Sequence, residues 1–188
     1  MRRVRAQFFA AGPFVVRSQD DKRPFYMSAH VTGASLLDPT EMDGRGDAEF
    51  VNVIPPGEYL DRYVFFTDPT YPETNLVLVR TKGPNGFEAV ELDCLGTVSG
   101  FKPIGSGGDR EYAYVNLVRH NFQPQGKCDN GRHEMKSAAP FGLTVWGWGT
   151  AETGQQLSGA CSQYVSYAYP GGASVAPINE VVIVPTPE

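Results

Sequence analysis

Three histidines and a group of clustered carboxylates are the residues of this sequence best suited to metal binding or proton transfer. The histidines His30, His120 and His133 are widely separated, and His133-Glu134 lacks the second histidine that a zinc-protease helix requires. The carboxylates crowd one stretch of the chain: Asp38, Glu41, Asp43, Asp47 and Glu49. Oxygen-rich loops can hold calcium, but this spacing lacks the alternating oxygens and fixed glycine of a helix-loop-helix calcium site. We therefore predict a solvated acidic loop, with no metal site and no cofactor.

No serine or cysteine stands in a recognisable nucleophilic motif. Gly96–Gly100 reads G-T-V-S-G, which places the serine in the wrong position for a nucleophile elbow. The glycine-rich stretch Gly105–Glu111 has neither the lysine nor the following helix of a phosphate-binding loop, and a turn between strands explains it better. We predict no catalytic residue, and the protein is not expected to be an enzyme.

The tripeptide Arg45–Asp47 reads R-G-D, a sequence that some adhesion receptors recognise. A given tripeptide occurs by chance in a few per cent of chains of this size. We interpret it here as a coincidence.

Aromatic residues gather in two neighbouring segments, FGLTVWGWGT and CSQYVSYAYPGG. Strand alternation places Trp146 and Trp148 on one face and groups Tyr167 with Tyr169. A strand that is apolar on both faces is usually central and buried, which favours a structural core. The alternative is that these four side chains form a platform that stacks on a ligand, as in sugar-binding sheets.

The elements that position these residues are predicted to be β-strands of a single domain, residues 1–188. The chain has 188 residues, with 21 glycines, 15 prolines and an aromatic fraction of 12%, and helical periodicity is hard to find. In FEAVELDC, Val90, Leu92 and Cys94 share one face, which is the alternation of an antiparallel sheet with one wet side. The fold class is therefore all-β, an antiparallel β-sandwich of jelly-roll or immunoglobulin-like type.

Short apolar runs bounded by turn residues mark the predicted strands. They lie near Phe14–Ser18, Phe25–His30, Phe50–Ile54, Tyr63–Thr67, Leu76–Thr81, Phe87–Asp93, Tyr112–Val118, His133–Lys136, Leu143–Trp148, Tyr164–Tyr169 and Val181–Val184. Asn85-Gly86 is a strong hairpin signal and is predicted to join the two strands that flank it.

Charge and hydropathy exclude two classes of partner. A net charge of −5 lacks the basic face that a nucleic acid requires. The sequence contains no apolar run long enough to span a membrane. The opening MRRVRAQFFAAGPFVV is interrupted by Gly12-Pro13 and is interpreted as a first strand rather than an export signal.

The three cysteines Cys94, Cys128 and Cys161 leave two arrangements open. In an oxidising compartment they would form one bridge and leave one thiol. Three reduced, buried thiols are the alternative, and the spacing does not distinguish the two arrangements.

Several stretches together resemble a known family. They are PFVVRSQ, GDAEFVNVIPPGEYLDRYVFFTDPTYPETNLVLVR, VELDC, CDNGRHEMKSAAPFGLTVWGWG and YVSYAYPGGASVAPIN. They resemble the N-terminal domain of IgGFc-binding proteins, as found in secreted and surface proteins of bacteria such as myxobacteria. The resemblance runs from about Phe14 to Pro185, and the chain looks like the C-terminal half of a longer family domain.

The resemblance implies an extracellular, disulfide-permissive, all-β binding or adhesion module with no known catalytic residues. By position, Cys94 and Cys128 resemble the family's disulfide pair, and Cys161 is the additional cysteine. From this we expect a non-catalytic recognition or adhesion module of a larger bacterial surface protein, located outside the cell or on its surface. Its partner would be an unknown protein or glycan, contacted through edges and loops that include Asp38–Asp47 and Gly105–Glu111. A carbohydrate-binding module and a purely structural spacer are the alternatives.

Overall fold

The computed structural model describes residues 5–7, 9–10, 12–20, 22–33, 45–150, 152–153 and 162–175. Within these ranges the chain forms strands and one short 3-10 helix, Pro56–Glu58. The strands are β1 (Ser28–Thr32), β2 (Ala48–Asn52), β3 (Leu60–Thr67), β4 (Glu73–Thr81), β5 (Val90–Leu92), β6 (Gly96–Thr97), β7 (Lys102–Pro103), β8 (Arg110–Arg119), β9 (Gln123–Pro124), β10 (Gly131–Trp148) and β11 (Ser166–Pro170). No helix of this described part is long and apolar enough to cross a membrane.

The longest strand, β10, belongs to two layers of the fold. Its first half pairs with β3 on one edge and β5 on the other, whereas its second half pairs with β4 and β11. The register against β3 shifts between Lys136 and Phe141, and Pro140 inside this interval has no backbone N–H for a regular ladder. The irregularity lets β10 leave one layer and enter the other, as corner strands do in packed sheets.

The strands β3 to β11 form one continuous, antiparallel, nine-stranded sheet, which curls into two layers. The first contains β6, β5, the first half of β10 and β3; the second contains β11, the second half of β10, β4 and β8, with the short strands β7 and β9 paired to β8. The ribbon formed by β1 and β2 is a separate two-stranded sheet, and β2 lies alongside β11. The all-β, sandwich-like fold predicted from the sequence is confirmed.

The core lies between the two layers and takes alternate residues from each strand. Leu76 and Leu78 of β4 are fully buried, as are Val145 of β10 and Met135. The predicted alternation holds in β5, where Val90 and Leu92 are buried and Glu91 is exposed. The same alternation occurs in β8, where Ala113, Val115 and Leu117 are buried.

The strand predictions differ from the structure in several places, and the two-residue strands β6, β7 and β9 are not among those predicted. Phe14–Ser18 is described but is not a strand, and the predicted strands His133–Lys136 and Leu143–Trp148 are parts of one strand, β10. The turn at Asn85-Gly86 forms, with Gly83 and Gly86 joined by two backbone hydrogen bonds. However, the flanking strands β4 and β5 each pair with β10 rather than with each other, so long-range pairing overrides the local hairpin signal. Val181–Val184 lies outside the described residues.

The disulfide implied by the family resemblance is present. It joins Cys94, in the turn after β5, to Cys128, in the loop before β10, with a sequence separation of 34 residues. The bridge therefore ties the two ends of a long excursion that includes β6, β7, β8 and β9. Cys161 lies outside the described residues.

Replacing both bridged cysteines, Cys94→Ala with Cys128→Ala, is expected to lower the free energy of unfolding by about 3–4 kcal/mol, because the open loop regains conformational entropy in the unfolded chain. Urea denaturation followed by circular dichroism measures this loss. Ser99→Ala, at an exposed position between the two bridged cysteines, is the control and should leave the free energy of unfolding within about 0.5 kcal/mol of the parent protein. An unchanged denaturation midpoint in the double variant would contradict the stabilising role of the bridge.

Candidate functional site

The register between β10 and β11 separates the four aromatic residues predicted to form one platform. Trp146 lies opposite Ala168, whereas Gly147 lies opposite Tyr167. Directly opposed residues share a face of the sheet, so the tryptophans and the tyrosines project from opposite faces. Trp146, Trp148, Tyr167 and Tyr169 are thus divided between two surfaces, and their ligand binding stays a prediction.

The tryptophan side is largely covered. Trp146 and Trp148 stack with 5.0 Å between ring centroids, and Trp146 is only 8% exposed. The indole Nε1 of Trp148 donates to Oδ1 of Asn75 at 2.5 Å. A side chain added at Gly46 would stand 3.2 Å from the Trp148 ring, which shows how closely that segment packs over it. Little ring surface of Trp146 is left for a ligand.

The R-G-D tripeptide is the segment that covers Trp148, and its groups are engaged in the fold. The Gly46 N–H donates to the Gly149 carbonyl at 2.8 Å. Oδ1 of Asp47 accepts from both the N–H and the hydroxyl of Ser166, at 3.0 and 2.6 Å. Arg45 lies 3.5 Å from the buried carboxylate of Glu73. These contacts give the tripeptide a structural role.

The tyrosine side borders an open groove at the edge of the sandwich, between β3 and β11. We call it the tyrosine groove; it measures about 560 Å³. Its lining residues are Phe66, Thr67, Asp68, Pro69, Tyr71, Gly131, Tyr167 and Tyr169. The ring of Tyr71 meets Tyr167 edge-on at 4.5 Å, and the rings of Tyr167 and Tyr169 are nearly parallel at 6.1 Å.

Hydrogen bonds to the end of β3 hold two of these rings in place. The phenol oxygen of Tyr167 accepts from the Asp68 N–H at 3.2 Å, and the hydroxyl of Tyr169 donates to the Phe66 carbonyl. Burial raises the pKa of Tyr167 to about 12, partly offset by the Asp68 N–H, and also raises the pKa of Tyr71 and Tyr169. The phenols are therefore neutral at pH 7, and Asp68 is the one charged residue among those lining the groove.

A second, smaller and more polar pocket of about 370 Å³ lies beside the turn from β8 to β9. Glu73 is buried there, and its Oε2 stands 3.5 Å from both Arg45 and Arg119. His120 lines the pocket, and it begins a run of three residues with positive φ that ends at Phe122. Two guanidinium groups lie within ion-pair distance of the buried carboxylate, but Oε2 of Glu73 and Nε of Arg119 make no hydrogen bond within the described part of the chain, so the charge is only partly compensated.

The structure brings one predicted lone histidine into a cluster that sequence reasoning missed. His133 is buried, and its ring nitrogens lie 3.1 Å from Oδ1 of Asp93 and 2.7 Å from the carbonyl oxygen of Asp129. Asp93, Cys94 and His133 are the one group of metal-ligand type found among the described residues, with ligand atoms within 4.8 Å of one another. The sequence signal is that Asp93 and Asp129 each adjoin a cysteine of the implied bridge. The pairing of β5 with β10 then brings Asp93 beside His133.

The remaining sequence-predicted positions are distributed over the surface. His30 is exposed on β1 and stacks with Phe50. Gly105–Asp109 is the turn between the paired strands β7 and β8, as expected. Residues 34–44, most of the predicted acidic loop, lie outside the described part.

Together these features define the class of protein: an all-β domain with an internal disulfide and an open aromatic groove. A model of the IgGFc binding protein family matches residues 2–147, most of the chain, and the chain belongs to that family. This is a family of binding domains, typically extracellular, and the disulfide fits such an environment. No curated protein and no solved structure matches the chain.

Gly147→Ala is expected to lower the free energy of unfolding by about 1–3 kcal/mol, because the new methyl would lie 2.0 Å from Cε1 of Tyr167 and force that ring out of place. Thermal denaturation measures the change. Gly57→Ala is the control, since nothing lies within 4 Å of its added carbon. Equal stability of the two variants would show that the Tyr167 ring does not pack on β10 as described.

Stability is expected to fall as the pH rises from about 10 to about 12. Tyr59 and Tyr167 have a pKa of about 12 in the folded protein, against about 10 in an unfolded chain. Because the pKa is higher in the folded state, the stabilisation by each neutral tyrosine is complete below pH 10 and is lost as the pH rises to 12. The free energy of unfolding then falls by up to about 1.4 kcal/mol per pH unit for each tyrosine. Urea denaturation at a series of pH values should show a smaller fall in the free energy of unfolding for Tyr167→Phe than for the parent protein. A fall as steep as that of the parent would contradict the assignment.

Proposed function

We propose that the protein is a non-catalytic recognition or adhesion module of a larger bacterial surface protein, acting outside the cell, and that it binds a protein ligand through the tyrosine groove. Membership in a family of binding domains supports the binding role. We choose the tyrosine groove as the binding surface because hydrogen bonds to the main chain at the end of β3 already hold the rings of Tyr167 and Tyr169 in position.

The groove has the properties of an energetically important contact. Tyrosine supplies a large contact area with few rotatable bonds, so little conformational entropy is lost when it binds. Here Tyr167 and Tyr169 have their hydroxyls tied to Asp68 and Phe66, which reduces that loss further. A ligand therefore meets a rigid aromatic wall.

An exposed apolar stripe extends the groove onto the outer face of β3. Phe66 is 63% exposed and lies on the groove, and Val64, two residues earlier on the same face, is 49% exposed. Asp68 adds the single carboxylate at the groove. The chemistry that fits is a protein segment with an apolar side chain for the groove and a basic group for Asp68.

Phe66→Ala in the full chain is expected to weaken binding by roughly ten- to a hundredfold, the cost of removing an aromatic anchor from an interface centre. The probes are an immunoglobulin G Fc fragment and a panel of extracellular glycoproteins, each with and without its glycans, measured by surface plasmon resonance. Tyr114→Ala is the matched control, because Tyr114 is also an exposed aromatic, 60% exposed, but lies on β8 away from the groove.

The outcomes of this screen are distinct. Binding to a deglycosylated protein that is lost in Phe66→Ala and kept in Tyr114→Ala supports the proposal. Equal loss of binding in both variants, or unchanged binding in both, would contradict a contact through the tyrosine groove. No binding to any probe favours the structural spacer.

A carbohydrate-binding module is the second candidate, because the rings of Tyr167 and Tyr169 are nearly parallel and a carboxylate stands beside them. Sugars stack on aromatic faces and donate hydroxyls to carboxylates. A glycan array with Tyr71→Ala and Trp148→Ala tests it. Binding abolished by Tyr71→Ala alone supports the tyrosine groove, and binding abolished by Trp148→Ala alone supports the opposite face. Removal of glycans from the glycoprotein panel separates this candidate from the first.

A further inference from the structure

We propose that Asp93, Cys94 and His133 form a binding site for a divalent transition metal, zinc in the first place, that becomes available when the Cys94–Cys128 disulfide is reduced. One carboxylate oxygen, one sulfur and one ring nitrogen lie within 4.8 Å of one another there. Zinc takes these three types of donor and accepts three protein ligands with a fourth, open position. The site shares no residue with the tyrosine groove and does not depend on the proposed function.

The hydrogen bonding of His133 leaves one ring nitrogen directed at the cluster. Nε2 lies 2.7 Å from the Asp129 carbonyl oxygen, which can only accept, so Nε2 carries a hydrogen. In the neutral ring, Nδ1 then presents a lone pair to Oδ1 of Asp93 at 3.1 Å. Two lone pairs at this distance repel each other unless a cation lies between them, either a proton or a metal ion. An N–H donated to a backbone carbonyl is also the usual arrangement that orients a metal-binding histidine.

The carboxylate of Asp93 is oriented as firmly as the imidazole. Oδ1 accepts from the Cys94 N–H at 2.7 Å, and Oδ2 accepts from the Glu134 N–H at 2.9 Å. The distance of 3.1 Å between Nδ1 and Oδ1 is close to about 3.3 Å, the edge of a tetrahedron with bonds of about 2.0–2.1 Å to nitrogen and oxygen. The outer hydrogen bonds that metal ligands require are therefore already present.

The state of the sulfur decides whether the third ligand is available. In the disulfide, Cys94 carries no negative charge and is a poor ligand. A dithiol reductant transfers two electrons by thiolate attack on the disulfide and becomes a disulfide itself, leaving thiols on Cys94 and Cys128. Cys94, the more exposed of the two, then loses its proton as it binds the metal.

Metal and disulfide would replace each other as cross-links. The disulfide joins the turn after β5 to the loop that leads into β10, and the metal would join Asp93 and Cys94 of that turn to His133 on β10. Both cross-links connect the turn after β5 to adjacent parts of the chain, Cys128 just before β10 and His133 just inside it. Reduction would then exchange one cross-link for another.

Single-thiol variants of the full chain test the site without a reductant, in a Cys161→Ser background that removes the remaining cysteine. Cys128→Ser leaves the thiol on Cys94, and Cys94→Ser leaves it on Cys128. Co²⁺ is the probe, because thiolate ligation produces a sulfur-to-cobalt charge-transfer absorption, and Zn²⁺ should then displace it. Cys128→Ser is expected to bind one Co²⁺ at least about tenfold more tightly than Cys94→Ser, and adding His133→Asn should remove at least about that factor.

The Cys161→Ser protein with its disulfide intact should lack the charge-transfer band and gain it on addition of a phosphine reductant. Equal affinity in the two single-thiol variants would overturn the proposal, as would Co²⁺ binding by the disulfide form that is as tight as binding by the reduced form. Circular dichroism verifies that each variant is folded.

Alkylation of Cys94 in the reduced Cys161→Ser protein covers the case in which Cys128→Ser does not fold. Zn²⁺ is expected to slow the reaction at Cys94 by at least about tenfold, and His133→Asn should remove that protection. Equal alkylation rates with and without Zn²⁺ would overturn the proposal.

Discussion

The passage of β10 through both layers is the constraint on which the other features of the fold depend. One strand of eighteen residues contributes its first half to the layer with β3 and β5 and its second half to the layer with β4 and β11. Its irregular middle, around Pro140, coincides with the change of partner strands from β3 and β5 to β4 and β11. The tyrosine groove and the His133 cluster both lie along this strand, the groove beside its pairing with β11 and the cluster near its start.

Cross-strand register explains why equivalent-looking aromatic residues have different environments. Trp146 and Tyr167 belong to neighbouring segments of similar composition, yet the offset of one residue between them places their side chains on opposite faces. The tryptophan face is covered by Arg45–Asp47, whereas the tyrosines meet the end of β3 at an open edge. Access of solvent to the aromatic rings is thus decided by coverage from distant segments rather than by the residue types themselves.

The disulfide and the His133 cluster show how one cross-link organises a wider set of polar groups. Asp93 and Asp129 adjoin the two bridged cysteines, and His133 contacts both aspartates. A buried imidazole with two acceptors is a demanding arrangement, because each acceptor has to find a hydrogen. That arrangement is the basis of the metal site proposed for the reduced protein.

The sequence by itself determined the all-β class, the alternation of buried and exposed residues in strands such as Val90–Leu92, and through family resemblance the pairing of Cys94 with Cys128. These properties are local, or are carried by motifs, and so they can be read from short stretches. The fusion of two predicted strands into β10, the separation of the tryptophans from the tyrosines, and the meeting of Asp93 with His133 were decided only by the tertiary structure. Each depends on pairing between residues far apart in the chain, and no local propensity specifies which distant strand supplies the partner.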